Sequence, residues 1–561
     1  MKNKRTHSLL ALTLTLALSL PLPLTTQADT LRVSTQNEFN ALPTDIEQAI
    51  RRGATTVDVV LAPATFYFRE NHIKWNNKQW DGITINLRGN ATVIKANGIA
   101  LTNGQDYNRT FHHGNGYTAG DTLNIPLWGD LHEADDLIEV LDKDSKLCRL
   151  PYSDIDDQDE AGCVNTYINI TQWFKSSVYK VLRISDGMIY FIASDLAYNN
   201  SRQCYNVNLD EAYSRKALKI DEGLMPRFRL CNSSLDSDRL VNIRDGKIHL
   251  PQALNQVREH TANTFFSLAS STIGGINFSG ITFCGNRDNN NYLIAFNKVK
   301  ANDSIAFSNC QFHALRSNVI QAFDSNNLRV RHCHFSNCYH YGIFASRSVN
   351  TTITHCTFSD MGLACINTAS IRCSGSDYYI AYNEFCNFGR TGISLGTWWK
   401  ADKTTPETGV VEHNLLYFTP SYMANHLKRS LMDSGAIYIY TQNDRVTVRH
   451  NIIHDYIGAC DNNGIHCDDG ACHFRIHDNI VANTPNGYSI DSRAVLHIAT
   501  NKESKTTVVN YDNQIYNNIV DGPIRAEAAP GNSKCRFGSN KRIKKRAKID
   551  QLIKKSNIFA H

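Results

Sequence analysis

One short pattern recurs eight times between residues 309 and 520, and it constrains the fold more than any other feature. Each copy has a polar or aromatic residue, then Cys or Asn, then a variable residue, then an apolar one. The copies are 309–312, 332–335, 355–358, 382–385, 413–416, 450–453, 478–481 and 517–520. The first two intervals are 23 residues and the later ones are longer. Such spacing predicts a solenoid of short coils with loops inserted on one side.

A second pattern falls between these copies and has the period of a β-strand. Its central isoleucines are Ile320, Ile343, Ile366, Ile393, Ile437, Ile465 and Ile490. In a strand, these residues and their second neighbours face one way, while the residues between them face the other. Several strands per coil, with no helical stripe between them, indicate an all-β chain folded as a right-handed parallel β-helix.

The first pattern also predicts what fills the coils. Three cysteines, Cys310, Cys333 and Cys356, are expected to stack turn upon turn, as are the four phenylalanines two residues after a Cys or Asn. The later Asn residues would form an internal ladder in which each amide satisfies its neighbour and the turning backbone. Most ladder cysteines would then be small core residues, although 16 cysteines in an exported chain would ordinarily suggest disulfides.

The amino terminus reads as a signal peptide, residues 1–28. Lys2, Lys4 and Arg5 precede an apolar run from 9 to 24, and a small-residue cleavage site follows at 26–28. A membrane anchor is the alternative, disfavoured because the run is short and contains Pro21 and Pro23. The mature protein is therefore expected to be exported to the periplasm or outside the cell, without stable membrane insertion.

Four further segments follow from the rhythm of the chain. Residues 29–106 are expected to form a cap and the first coils, with a short helix at 45–52 after the capping-box spacing of Thr44 and Glu47. Residues 107–262 break the repeat and read as a small inserted β module, a disordered insertion being the alternative. Residues 263–525 form the β-helix with its groove, and 526–561 a basic tail.

Charge is unevenly distributed along the chain. The total of +5 includes +3 from the signal segment and +7 from residues 541–555, so the rest carries −5. A mildly acidic body argues against nucleic acid as the partner. The tail itself reads as a basic amphipathic helix that caps the solenoid, with membrane or nucleic-acid binding as the alternative.

Aligning the isoleucines predicts which side chains face outward. Neighbouring coils lie about 4.8 Å apart, so a compact patch should form on three consecutive coils, made of Tyr438, His466, Asp491, Tyr440, Asp468 and Arg493. Carboxylates that share a groove wall push each other's pKa values apart, which yields one proton donor and one ionised partner. The alternative is a solvated surface with ion pairs such as Asp468 with Arg493.

A resemblance becomes specific in the segments 431–438, 448–455 and 464–470. They resemble the β-helical glycoside hydrolases of families 120 and 141, which act on plant cell-wall glycans containing xylose or fucose. The resemblance implies a catalytic pair, Asp433 and Asp468, with Asp469 as a substitute. This sequence departs from the pattern at His466 and Cys467, where a Tyr and an aliphatic residue are expected. Straight strands would hold Asp433 too far from Asp468, so Asp433 reaches in from a turn or Asp461 is the true neighbour.

Three functions remain open at this point. In a hydrolase on a polysaccharide, one carboxyl protonates the glycosidic oxygen and the other attacks carbon or activates water, without metal or cofactor. A polysaccharide lyase would use His466 or Tyr438 as base, Arg493 to neutralise a uronate carboxylate, and possible calcium bound by aspartates. A glycan-binding solenoid would rely on aromatic platforms; Trp398 and Trp399 either stack on a sugar ring or pack beneath a loop.

Overall fold

The chain was analysed as a computed structural model that describes most of the solenoid and part of the rest. The described residues are 28–68, 72–75, 80–95, 98–101, 110–117, 122–123, 145–151, 157–158, 166–172, 175–185, 187–194, 227–232, 242–244, 247–249, 254–260, 264–284, 292–313, 315, 318–336, 338, 340–362, 368–396, 407–420, 422–423, 434–440, 445–458, 462–468, 471–492, 495–499, 505–509, 512–527 and 534–556. The predicted signal peptide, except Ala28, lies outside them.

Three long parallel sheets form the body of the molecule, and successive coils add one strand to each. Within the described residues, sheet 1 has 13 strands: Ala28–Val33, Thr56–Leu61, Thr84–Gly89, Gly275–Ser279, Ile305–Ser308, Leu328–Arg331, Thr352–Thr354, Tyr378–Ala381, Gly409–Glu412, Val446–Arg449, Phe474–His477, Gln514–Tyr516 and Arg536–Gly538. Sheet 2 has 12: Thr65–Phe68, Thr92–Lys95, Thr282–Cys284, Gln311–His313, His334–Ser336, Thr357–Met361, Glu384–Phe388, Leu415–Tyr417, Ile452–His454, Ile480–Ala482, Ile519–Val520 and Lys541–Arg542. Sheet 3 has 11: Ile73–Trp75, Phe266–Ala269, Tyr292–Asn297, Asn318–Phe323, Ile343–Val349, Ala369–Ser376, Thr391–Leu395, Ser434–Ile439, Asn462–Cys467, Ile490–Ser492 and Ile524–Ala526. The predicted parallel β-helix is confirmed.

The early coils are interrupted by strands that belong to none of the three long sheets. In sheet 1, Ile85 pairs directly with Ile276. The described strands from residue 98 to residue 260 form separate sheets with mostly antiparallel pairing: Gly98–Leu101, Thr110–Tyr117, Thr122–Leu123, Ser145–Pro151, Asp157–Gln158, Thr166–Gln172, Lys175–Ser185, Met188–Ser194, Arg227–Asn232, Asn242–Arg244, Lys247–His249 and Leu254–His260. The boundaries at 107 and 262 stay predictions. Two short pairs lie elsewhere, Thr272–Ile273 with Lys300–Ala301 and Val495–Ala499 with Lys505–Val509.

Helix α1 (Gln36–Arg51) covers the amino-terminal end of the solenoid. A helix was expected there, but its predicted start near Asp45 is wrong. The true capping box is Thr35 with Glu38: Thr35 Oγ1 accepts from the Glu38 amide at 3.2 Å, and Glu38 Oε2 accepts from the Thr35 amide at 2.9 Å. Thr44 and Glu47 have the same spacing but lie inside the helix, which also tolerates Pro43.

The predicted internal ladder is confirmed, and it runs one residue further than the sequence indicated. Each asparagine side chain donates to the next at 2.9 to 3.0 Å, through Asn383, Asn414, Asn451, Asn479, Asn518 and Asn540. Each also donates to a main-chain carbonyl of the preceding coil, as Asn451 Nδ2 does to the Val411 carbonyl at 2.9 Å. The ladder thus satisfies main-chain groups that the tight turn leaves without strand partners.

Cysteines and phenylalanines fill the earlier coils, also as predicted. Cys310, Cys333 and Cys356 are buried, and the Cys356 amide donates to Asn383, where the cysteine column becomes the asparagine ladder. The rings of Phe312, Phe335, Phe358 and Phe385 stack with centroids 4.7 to 4.8 Å apart. The solenoid core is therefore built of columns of like residues.

The coil continues into the segment that reads as a basic tail. Arg536–Gly538 joins sheet 1 and Lys541–Arg542 joins sheet 2. Helix α2 (Arg546–Ser556) then packs on the outside of sheet 2, where Ile549 is buried with Ile543 and Ala482. Among the described residues, no helix is long and apolar enough to cross a bilayer.

One strand of sheet 3 differs from the sequence alignment. Ile343 pairs with Ile371, and Ile371 with Ile393, so the expected place of Ile366 in this column is wrong. Both isoleucines have a strand-like sequence pattern, and the second one, Ile371, occupies the column; Ile366 lies outside the described residues. The outward residue of this coil is consequently Arg372 and not Asn367.

Candidate functional site

The candidate site lies on the outer face of sheet 3, where five residues from consecutive coils stand in register. Strand pairing aligns Ser394, Tyr438, His466, Asp491 and Arg525. Their neighbours in the strands, such as Ile437 and Ile465, belong to the solenoid core. Because side chains alternate along a strand, the aligned column faces away from that core.

Tyr438 and Asp468 form the direct contact between two coils of this face. The Tyr438 hydroxyl donates a short hydrogen bond to Oδ2 of Asp468. Asp468 directly follows its strand, and its amide donates to the Ile439 carbonyl at 2.8 Å, which fixes the start of the loop. Asp468 is partly exposed, whereas Tyr438 is buried. The Asp468 carboxylate is therefore accessible to solvent and is positioned by the Tyr438 hydroxyl.

A second, fully enclosed group lies on the next coils. His466 and Asp491 have completely buried side chains, with Nε2 of His466 3.4 Å from Oδ2 of Asp491. Arg525 donates to both Asp491 oxygens at 2.6 Å, and Asn463 Nδ2 lies 3.5 Å from Oδ2. A buried carboxylate needs this many donors to remain charged. The His466 ring meets the Tyr438 ring edge-on at 5.1 Å, which links the buried group to the exposed pair.

Two further arginines lie against the tyrosines of the site. The guanidinium of Arg390 is 4.8 Å from the ring centre of Tyr438. That of Arg372 is 5.4 Å from Tyr440 and 5.2 Å from Phe344. Such contacts are attractive and hold a cation beside an aromatic face. The site therefore combines one accessible carboxylate with fixed positive charge nearby.

Local packing explains how the coils come close enough. A Cβ at Gly435 would lie 2.9 Å from Cβ of His466, closer than side chains normally approach. The Tyr456 hydroxyl donates to the Arg390 carbonyl at 2.6 Å and lies 2.8 Å from Oγ of Ser434. Glycine and this bridge fix the Tyr438 strand against both neighbouring coils.

Cys467 lies between these groups but faces the core. Burial, with the nearby Asp491 and Asp468 carboxylates, raises the pKa of its thiol well above the usual range. A thiol in that setting stays protonated, so Cys467 is a packing residue and not a nucleophile.

The structure brings together Tyr438, Tyr440, His466, Asp468 and Asp491 of the predicted patch. The predicted Asp433, Asp469, Arg493, Trp398 and Trp399 lie outside the described residues, as does the alternative Asp461. Their predicted roles, and the expectation that no metal is needed, stay predictions.

Sequence reasoning missed Arg372, Arg390, Asn463 and Arg525. Two of them carried a readable signal. Arg525 follows Ile524, which continues the column of isoleucines by one coil beyond Ile490. Arg372 follows Ile371, which has the same pattern in the coil for which Ile366 was expected. For Arg390 and Asn463 the repeat gives no such signal.

The fold and this face define a parallel β-helix protein with a cluster of ionisable side chains on the outer face of one long sheet. Residues 255–398 match the family described as "Right handed beta helix region", which agrees with the predicted handedness. No curated protein sequence matches the chain significantly.

Several solved structures share the fold at low similarity. A protein titled "Glycoside hydrolase" has 12% identity and a TM-score of 0.47, over 93% of this chain and 98% of that one. The A-module of a mannuronan C-5 epimerase from Azotobacter vinelandii has 13% identity and a TM-score of 0.29, over 50% and 75%. The catalytic domain of a GH87 α-1,3-glucanase has 10% identity and a TM-score of 0.32, over 71% and 88%. Likeness at this level does not define an activity.

Proposed function

We propose that this protein is a secreted glycoside hydrolase that cleaves plant cell-wall or related polysaccharides, with Asp468 as one of its two catalytic carboxylates. The observation that carries the proposal is the hydrogen bond from the buried Tyr438 to the partly exposed Asp468 on the outer face of sheet 3. Asp468 is the partly exposed acid of the described patch, while Asp491 is enclosed and paired. A substrate in the groove therefore meets Asp468 first.

In the proposed reaction Asp468 acts as the ionised partner, and the Tyr438 hydroxyl donates to it. Asp468 would then attack the anomeric carbon or activate water, and the proton for the glycosidic oxygen would come from the second carboxyl. The resemblance in sequence assigns that second role to Asp433, with Asp469 as the substitute. The buried group of His466, Asp491 and Arg525 would hold the Tyr438 ring in place from behind.

The experiment compares the mature protein with Asp468→Asn on a panel of plant and microbial polysaccharides, with reducing ends and unsaturated-uronate absorbance recorded together. Reducing ends that are lost in Asp468→Asn, without absorbance, are the expected result. Asp478→Asn is the matched control, since Asp478 is an exposed aspartate in a left-handed turn that asparagine also accepts. Equal rates for Asp468→Asn and the control would contradict the proposal.

A polysaccharide lyase is the second candidate, and one contact favours it. Arg390 lies 4.8 Å over the Tyr438 ring, so a phenol and a cation stand side by side. β-Elimination on a uronate polymer requires such a base and a neutralising charge. Tyr438 suits the base role better than His466, whose side chain is 0% exposed. Unsaturated-uronate absorbance that disappears in Tyr438→Phe would support the lyase. If neither reducing ends nor this absorbance appear with any polysaccharide, the result would support a non-catalytic glycan-binding solenoid.

A further inference from the structure

The carboxy-terminal helix α2 is fixed to the solenoid by both its apolar and its charged residues. Ile549 is 0% exposed and forms a buried cluster with Ile543 and Ala482, against which Leu552 and Ile553 also pack. Arg546 donates to both oxygens of Asp455 at 2.9 Å. The helix therefore has one defined place at the end of the solenoid.

Docking leaves the opposite face of this segment strongly basic. The exposed cations in and next to the helix are Lys541, Arg542, Lys544, Lys545, Lys548, Lys554 and Lys555. The acid of the helix, Asp550, accepts from Arg546 at 2.7 Å. Arg546 with Asp455 and Asp550 carries a net charge of −1, against +7 from the exposed cations. Three of these cations lie in the 11-residue helix, which is about 16 Å long, and the other four lie in the five residues that precede it. We call this set of exposed cations the basic end.

We propose that the basic end is a docking surface for an anionic polysaccharide. Burial of the apolar residues against sheet 2 removes the face that an amphipathic helix would insert into a bilayer. What remains is a fixed array of ammonium groups, which binds a linear polyanion by releasing its counterions. Since the helix is already ordered, such binding costs little conformational entropy.

A polyanionic glycan fits this surface better than nucleic acid for two reasons. The rest of the chain is mildly acidic, which would repel a long, densely charged duplex that extends beyond the basic end. The choice of glycan also rests on the proposed function, because a hydrolase gains from a second contact that keeps a polymer close to its groove.

The test measures binding of the full mature chain to polygalacturonate, dextran, duplex DNA and phosphatidylglycerol vesicles at several salt concentrations. All variants carry Asp468→Asn to prevent turnover. Replacement of Lys544, Lys545 and Lys548 by Gln should weaken polygalacturonate binding at least tenfold and lower the slope of log affinity against log salt by about 2. Dextran should not bind at this surface.

The control removes three exposed cations elsewhere, Lys74, Arg88 and Lys300, also by Gln. It has the same net charge as the test variant, and both should keep the wild-type melting temperature. Equal polygalacturonate affinity in the two variants would overturn the proposal, as would tighter binding to DNA or to vesicles. Because the readout is binding, a failure of Asp468 as a catalytic residue leaves this result intact.

Discussion

Arg525 holds both carboxylate oxygens of Asp491 at 2.6 Å across two neighbouring coils of sheet 3. The Asp491 side chain is 0% exposed and that of Arg525 is 24% exposed. The pair lies behind His466, which in turn lies against Tyr438. An ion pair in this position connects the stability of the last coils to the geometry of the candidate site.

Loss of this arginine should destabilise the protein. In Arg525→Gln the buried Asp491 loses its charged partner, and breaking a buried pair costs about 3 to 5 kcal/mol. Urea unfolding should show a free energy of unfolding lower by that amount. Arg536→Gln removes an exposed arginine from the adjacent coil and should change it by less than about 0.5 kcal/mol. A similar value for the two variants would show that Asp491 does not depend on Arg525.

Removing the hydroxyl of Tyr438 should affect activity more than stability. Tyr438→Phe keeps the ring between Arg390 and His466 but loses the donor to Asp468. A hydrogen bond to a charged group is worth about 1.5 to 3 kcal/mol, so kcat/KM should fall about 10- to 100-fold. The matched control is Tyr417→Phe, whose hydroxyl donates to Glu384 at 2.9 Å on sheet 2. If both variants lost activity equally, the role of Tyr438 would be structural.

The asparagine ladder should be sensitive to a single substitution in its middle. Asn451 is fully buried, accepts from Asn414 and donates to Asn479 and to the Val411 carbonyl. Asn451→Ala leaves several buried groups without partners, at about 1 to 3 kcal/mol each. We expect a free energy of unfolding lower by about 3 kcal/mol or more. The exposed Asn40→Ala, which loses one contact from Gln36 on helix α1, should change the free energy of unfolding by under about 1 kcal/mol.

Mild acid should weaken the amino-terminal end of the solenoid. Burial of His72, stacked on Phe39 and Phe265, lowers its pKa from 6.5 to about 4. Between these values the unfolded chain binds a proton that the folded chain does not, so stability falls as the pH falls from 6.5 to 4. This contribution is at most about 3 kcal/mol. The free energy of unfolding should differ less between pH 7 and pH 4.5 for His72→Phe than for the wild type. An equal difference in the two proteins would show that His72 is not the group responsible.

The sequence allowed the repeating parts to be predicted because each coil obeys the same packing rule. The columns at Phe312 and Asn383 follow from a residue type that recurs at one position. The register between coils was predicted correctly where a coil has a single candidate isoleucine. The prediction was wrong in the coil that has two candidates, Ile366 and Ile371. Local motifs gave a similar error at α1, since Thr35 and Thr44 both have the spacing of a capping box and only Thr35 forms one.

The site was harder to predict than the fold because it depends on contacts without a period. Tyr438, His466 and Asp491 came from register alone, and the structure aligns them. Whether each is exposed does not follow from register: His466 and Asp491 face outward from the strand and yet are covered. Arg390 directly precedes the strand Thr391–Leu395 and contacts the Tyr438 ring of the next coil. The repeat does not predict this contact, because Arg390 occupies no repeated position.

The direct pairing of Ile85 with Ile276 also has a consequence for how the chain is made. These neighbours in sheet 1 are 191 residues apart, whereas later coils such as those of Asn327 and Asn350 close after 23. Closing a long segment costs more entropy than closing a short one, and such non-local contacts form slowly. During synthesis the pairing of Thr84–Gly89 with Gly275–Ser279 must therefore wait until the segment between these two strands has left the ribosome. The later coils add one at a time over short separations, so the amino-terminal strands are expected to join the rest of the solenoid in a separate, slower step.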